Sequence, residues 1–370
     1  MSYRTEKIAA AAVMAAVLTM LAPAGVADAA DLPTLPVEAK PIASLPFFSL
    51  IDNRVTYSWM PKGVDPGAFS VRPNGSIDGT TAKSVYSFTH YDEWAYGTNF
   101  FNISMLKSGH NDPASPCMSS ISVFGGPSDC AGATEIYGTF RSTFGWNEIF
   151  NTKAFAIGPL RNISFEIGAD ANTENTYLAP AKRYFVAGLQ FAFDLPYKGY
   201  VDIAPLVYKE INHNAFDQCG PSRPGGIPGV TCIDDGNTDF DTTWAVETNY
   251  YMDLGFLPEY MRYFSVSGRV GLIGPKGNQN SPLGLARGGT ATKVELNSEP
   301  VRLIFDVSKA VWGAKYTHFL DVWVAYRYWQ NKFGLDHNNA PGICTIAGPG
   351  TPSTNSCTES TVYAGVTVKF

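Results

Sequence analysis

The stretch 182–212 reads KRYFVAGLQFAFDLPYKGYVDIAPLVYKEIN, and its alternation decides the fold class. Phe185, Ala187, Leu189, Phe191 and Phe193 fall on one face of an extended chain, against Tyr184, Gly188, Gln190 and Asp194 on the other. Leu195-Pro196-Tyr197-Lys198 supplies turn chemistry, and the pattern resumes. Val201, Ile203, Val207 and Ile211 oppose Asp202, Tyr208, Glu210 and Asn212. Successive strand side chains point to opposite faces. The stretch is therefore a hairpin with one apolar face and one polar face. A soluble β-sandwich alternates in the same way, so the hairpin leaves both a sandwich and a membrane barrel open.

Working outward, similar segments recur at 52–60, 81–92, 96–106, 134–144, 161–170, 240–252, 262–273, 293–308, 317–332 and 359–370. With the two above they make about twelve strands. Their connections break the tie. The even-numbered ones are short: 93–95, 145–160, 195–198, 253–261 and 309–316. The odd-numbered ones include the long ones: 61–80, 107–133, 213–239, 274–292 and 333–358. Only 171–181 among the odd connections is modest. Short turns at one end and long loops at the other are the arrangement of an outer-membrane barrel. A sandwich has no reason to sort its loops. The expected fold is all-β: an antiparallel transmembrane β-barrel of about 12 strands with long extracellular loops and both termini periplasmic.

The chain has 370 residues, with 13% aromatic and 16% charged residues, 19 Tyr and 23 Phe against 8 Met. That composition favours strands. A net charge of −6 offers no basic surface for nucleic acid. Arg4 and Lys7 precede the uncharged apolar run 8–21, and Ala27-Asp28-Ala29 follows it. This predicts a signal peptide over 1–29, removed on export. Four prolines mark 30–50 as a lead ahead of the barrel, 51–370. The last strand ends on Phe370, a terminal aromatic of the kind read by barrel-insertion machinery.

Six cysteines form three pairs, each 13 positions apart: Cys117 and Cys130, Cys219 and Cys232, Cys344 and Cys357. Each pair brackets a Pro-, Gly- and Ser-rich stretch in a long connection. An even count in an exported chain reads as disulfides, here three local staples outside the cell. No Cys-x-x-Cys or paired His suggests a metal. Aromatics near strand ends (Trp59, Trp94, Tyr250, Tyr251, Tyr328, Trp329) fit interface girdles.

Enzyme constellations are missing from the sequence: no Gly-x-Ser-x-Gly, His-Glu-x-x-His or phosphate loop. No enzyme activity and no cofactor are expected. The chemistry lies on the polar strand faces. An Arg facing lipid at mid-membrane costs about 2–4 kcal/mol, so charges belong in the lumen. The lumen candidates are Glu135, Tyr137, Arg141, Glu166, Asp202, Tyr208, Glu210, Glu247, Arg269, Asp321, Trp323, Arg327 and Trp329. Flat rings stack on solutes while carboxylates and Arg bond their polar edges. Three readings follow: a polar channel for small solutes, a structural or adhesive surface barrel whose lumen is plugged, or an outer-membrane lipid enzyme using His90 or His318, beside which no supporting motif stands.

The segment 86–105, YSFTHYDEWAYGTNFFNISM, resembles the early hairpin of the nucleoside-specific channel-forming outer-membrane (Tsx/OmpK-like) family. So does 163–207, with its Asp-Leu-Pro turn, and 324–330, VAYRYWQ, is similar to that family's Ala-Arg-Tyr-Trp strand. The matching positions are Trp94, Tyr96, Gly97, Arg327 and Trp329. The resemblance implies a twelve-stranded monomer in outer-membrane lipid that passes nucleosides or other small aromatic solutes.

The staple arrangement has a direct check. Peptide mapping without reduction should find 117–130, 219–232 and 344–357 linked, and any cross-pair link overturns it.

Overall fold

The computed structural model describes residues 47–114, 132–176, 181–213, 237–276, 293–340, 343–346 and 351–370. Twelve long strands run through them: β1 (Phe48–Val64), β2 (Thr80–Trp94), β3 (Gly97–Ser108), β4 (Thr134–Gly145), β5 (Leu160–Glu174), β6 (Ala181–Leu195), β7 (Gly199–His213), β8 (Thr243–Asp253), β9 (Phe264–Ile273), β10 (Glu295–Asp306), β11 (Leu320–Gln330) and β12 (Glu359–Lys369). Each is antiparallel to the next, and β12 returns to pair with β1, so the sheet closes into a barrel. The closing seam sets Arg54 opposite Lys369, Tyr57 opposite Val366 and Trp59 opposite Ala364. A short strand, Asn237–Asp239, adds to β7, and a small hairpin pairs Ser70–Val71 with Ile77–Asp78.

All twelve expected strands are present, with ends shifted by a few residues. β1 starts at Phe48, inside the stretch expected as the Pro-rich lead; Phe48 opposes Trp94 and Leu50 opposes Glu93 across a bulge. The expected signal peptide and residues 30–46 of the lead lie outside the described residues. The start of β1 and the end of β12 share one end of the barrel, here the terminal end. The tight turns 95–96 and 196–198 lie there, and 65–79 and 331–358 lie at the opposite, loop end. At the 196–198 turn, Gly199 N–H donates to Pro196 O at 3.1 Å. Tyr197 and Lys198 take φ of 57° and 60°. Two left-handed residues make the mirror-image turn whose twist suits a hairpin.

The burial pattern is that of a soluble protein turned inside out. Val55, Tyr57, Trp59, Ile103, Met105, Phe185, Val207, Leu303, Val324 and Val362 are exposed. Asp52, Lys83, Glu135, Glu166, Glu210, Glu299 and Glu359 are buried. The period-two reading of β6, β7 and β12 is borne out. In β10 a bulge between Ser298 and Val301 changes the parity: Glu295 and Glu299 face inward before it, Arg302 and Asp306 after it. Pro300, which has no N–H to give a ladder, sits in that bulge. Its carbonyl accepts the Tyr250 hydroxyl at 2.8 Å.

Cys344 and Cys357 are bonded, with Cα atoms 5.4 Å apart. The pairs 117–130 and 219–232 fall outside the described residues. Phe333, Leu335, Ala340 and Ile343 pack with the disulfide as a small core of the loop end. The girdle expectation needs a correction. Trp59, Trp94, Tyr250 and Tyr328 lie on the outer face, but Tyr251 and Trp329 point inward, because neighbouring residues of a strand cannot share a face. Trp94 instead gathers Phe47 at 5.8 Å, Tyr96 at 5.3 Å and Phe144 at 6.0 Å at the terminal end. Phe370 lies outside, its ring 6.5 Å from Phe88 and its N–H donating to Asn53 O at 3.0 Å.

Candidate functional site in the barrel lumen

All thirteen lumen candidates occupy inward positions, which follows from the register once one residue per strand is oriented. They are not scattered. Opposite charges from other strands join them in three tiers along the barrel.

The middle tier centres on Arg141 of β4. Its guanidinium donates to both Glu247 oxygens, at 2.9 and 2.7 Å, and to Asp170 at 2.5 Å. Glu247 stands on β8, four strands away, so this bidentate pair spans the lumen. Tyr137 and Tyr184 both donate to Asp170, and Gln190 donates to Glu166 at 2.9 Å. Around the wall, Arg302 lies 3.9 Å above the Trp323 ring and donates to Glu299 at 2.7 Å. Trp323 meets Tyr363 edge-on at 5.2 Å, and Tyr363 donates to Glu299. Arg269 and Asn249 of the same tier stay exposed, so water reaches this side of the lumen.

The loop-end tier is closed. Lys276 pairs with Glu210, and Lys182 of β6 lies 3.7 Å from Glu210 and from Glu295 of β10. Tyr208 donates to Glu210, and Trp329 Nε1 donates to Glu295 at 2.9 Å. Arg327 pairs with Glu359. The stapled segment after β11 bends over this tier. Lys332 Nζ donates to Val64 O at 2.7 Å. The Phe333 ring lies 5.7 Å from Lys182 Nζ, almost across the ring of strands.

The terminal tier holds Asp52, bonded to Arg54 at 2.7 Å and Lys369 at 2.7 Å across the closing seam. Beside it, His318 lies outside the strands, before β11, with φ of 57°. Its N–H donates to Asp306 at 2.8 Å; Nδ1 faces Asp321 at 3.0 Å and Nε2 faces the Tyr251 hydroxyl at 2.9 Å. That hydroxyl also lies 2.6 Å from Asp253 as a donor, an arrangement in which the protonated imidazole donates from both ring nitrogens. Burial opposes the charge, but the Asp321 bond and the nearby Asp306 and Asp253 raise the His318 pKa above its usual value. Asp202 lies at the same end, 3.8 Å from Arg161.

Sequence reasoning missed most of the partners: Lys83, Lys182, Lys276, Glu295, Glu299, Arg302 and Lys332. Lys182 shares the parity of Tyr184 and could have been found. Lys276 and Lys332 lie beyond strand ends, where no period applies, and Arg302 was hidden by the Pro300 bulge. One expectation is corrected: not every charge faces the lumen. A row on the outer wall joins four strands. His90 lies 2.7 Å from Asn53 Oδ1 and 3.1 Å from Asp92. Asn99 donates to Asp92 at 2.9 Å, and Ser142 donates to Asn99 at 2.7 Å. The row is tolerated because its members satisfy one another while Asp92 and Ser142 stay buried.

No family model and no curated protein matches this chain. Among solved structures it is similar to the COG4313 outer membrane channel from Pseudomonas putida F1, at 12% identity and TM-score 0.42, covering 90% of this chain and 100% of that one. It is also similar to a TodX deltaS2S3 mutant, titled a monoaromatic hydrocarbon channel, at 8% identity and TM-score 0.37, over 86% and 90% of the two chains. OprB of Pseudomonas putida matches at 10% identity and TM-score 0.29, over 87% and 93%.

Replacing Arg141 by Ala strands Asp170 and Glu247, and breaking a buried pair costs about 3–5 kcal/mol. Urea denaturation in detergent should register a loss of that size, and an unchanged midpoint would show the cross-lumen pair to be idle. His318 predicts a pH effect. Its folded pKa is raised, so its contribution is full below about 6.5, the ordinary His value, and fades as pH rises through the folded value. The stability advantage of wild type over His318→Gln should shrink between pH 6 and pH 9; an advantage that stays constant contradicts the charged imidazole.

Proposed function

We propose that this chain is an outer-membrane channel for passive diffusion of small solutes, with nucleosides as the finer candidate. The observation that carries the reading is the division of the barrel wall: an exposed apolar exterior around a lumen of charges and flat rings, with Arg269 and Asn249 open to water. An apolar outer band around a polar interior suits lipid outside and water inside. Short turns at the terminal end would then be periplasmic and the stapled loops extracellular. About twelve strands enclose more room than the eight-stranded barrels that side chains fill.

The lumen chemistry supports a flat polar solute. Tyr200 and Tyr251 are stacked with centroids 6.2 Å apart at the terminal end, and Arg302 on Trp323 shows that a planar cation already uses such a face. An aromatic base can take a ring face while Arg269 or Asn249 bonds its edge. Passage requires the stapled segment bearing Phe333 to withdraw from Lys182.

A second reading has its own observation. The loop-end tier is buried and ion-paired, with Lys182, Lys276 and Lys332 almost fully inaccessible. That favours a structural or adhesive surface barrel with a plugged lumen.

Conductance in planar bilayers separates the two. A channel conducts, and adding a nucleoside lowers the current; silence at every voltage leaves the plugged barrel. In liposome swelling, nucleosides should enter faster than sugars of equal mass. Equal rates would remove the nucleoside preference while keeping the channel.

A further inference from the structure

Three inward carboxylates converge at the loop end without enough positive charge to match them. Glu135, near the start of β4, stands directly opposite Glu174, the last residue of β5. Both are buried. Like charges directly opposite on paired strands repel. Asp65, one residue past β1, completes the group: one oxygen from each of the three lies within 4.8 Å of the others.

The nearby cations do not bond the two glutamates. Lys83 Nζ donates to both Asp65 oxygens, at 2.8 and 2.9 Å. Lys332 gives its bond to Val64 O and lies 3.9 Å from Asp65. Among the described residues, the donors to Glu135 and Glu174 are neutral. Asn172 reaches them at 3.3 and 3.2 Å, and Thr176 reaches Glu174 at 3.5 Å.

A fourth acid borders the group. Asp112 is 1% exposed, and its Oδ2 has no hydrogen-bond partner. The charges acting on it are Asp65 and Lys83. Its loop is held there because Ala114 packs with Ala68 and Ala133. With all four ionised, these buried carboxylates share two ammonium groups, an excess of two negative charges. A buried carboxylate with nothing to accept from is costly.

We propose that Asp65, Glu135 and Glu174, with Asp112 beside them, bind one divalent cation at the loop end of the barrel, with Ca2+ preferred to Mg2+. Ca2+ takes oxygen ligands at about 2.3–2.6 Å in flexible geometry, so ligand oxygens up to about 5 Å apart can share it. Mg2+, at about 2.0–2.1 Å, demands a tighter octahedron than these strand ends present. The charge of the ion equals that excess, and its ligands come from the residue after β1 and from β4 and β5 together. The site does not rest on the channel reading.

The test uses the full chain refolded in detergent and stripped with a chelator, titrated calorimetrically with CaCl2 and separately with MgCl2. One Ca2+ should bind, with Kd at or below about 1 mM and more tightly than Mg2+. Glu174→Gln and, separately, Glu135→Gln should each weaken binding about tenfold or more, since ligand charge sets affinity. Each variant should also melt higher than wild type when both are in chelator, because the opposed charges are gone, and should lose the Ca2+-induced rise in Tm. Wild type that takes up no Ca2+ at millimolar concentration overturns the site. So does Ca2+ binding that persists unchanged in both variants, which would place the ion elsewhere. If one variant fails to fold, as judged by heat-modifiable migration on a gel, the other decides.

Discussion

The pairing of β1 with β12 is the constraint on which the rest depends. An antiparallel sheet of twelve strands left open would carry two rows of unpaired N–H and C=O groups. In lipid such an edge has no water to satisfy it. Closure joins segments some 300 residues apart in sequence, from Arg54–Lys369 to Trp59–Ala364. The seam is reinforced inside by Asp52, which holds both Arg54 and Lys369. Once the ring is closed, every strand has two neighbours, and every second side chain is committed to a confined interior.

That commitment explains the charges. The lumen holds acids and bases at densities a soluble core would not tolerate, and each tier is arranged so that nearly every charge meets its opposite. Arg141 reaches Glu247 across the cavity; Lys182 and Lys276 share Glu210 and Glu295. Desolvating one partner is costly unless the other is held within bonding distance. The rigid wall supplies that positioning, because strand register fixes where each side chain starts. Where register opposes two acids, as at Glu135 and Glu174, the balance fails locally, and a cation restores it most simply.

The same architecture frames the functional question. Arg269 and Asn249 stay exposed in the middle tier, while the described residues of the loop end are packed with ion pairs and with the stapled segment around Phe333. The Cys344–Cys357 bond preserves the fold of that segment. Closing a loop of about 15 residues removes about 3 kcal/mol of chain entropy from the unfolded state. That entropy would otherwise favour unfolding of the loop.

By itself the sequence determined the strand count, the two faces of each strand and the sorting of short and long connections. Those depend on a period of two and on turn residues, both local. It placed all thirteen lumen candidates inside for the same reason. It did not determine who pairs with whom. Lys276, Lys332, Asp65 and Asp112 lie outside any period, and Pro300 reverses the parity that hid Arg302. The outer-wall row from Asn53 to Ser142 also defies the rule that charges face inward, since four strands had to be set side by side before its bonds could close. Those facts belong to tertiary structure: a charge's cost depends on what stands opposite it, and only closure of the ring decides that.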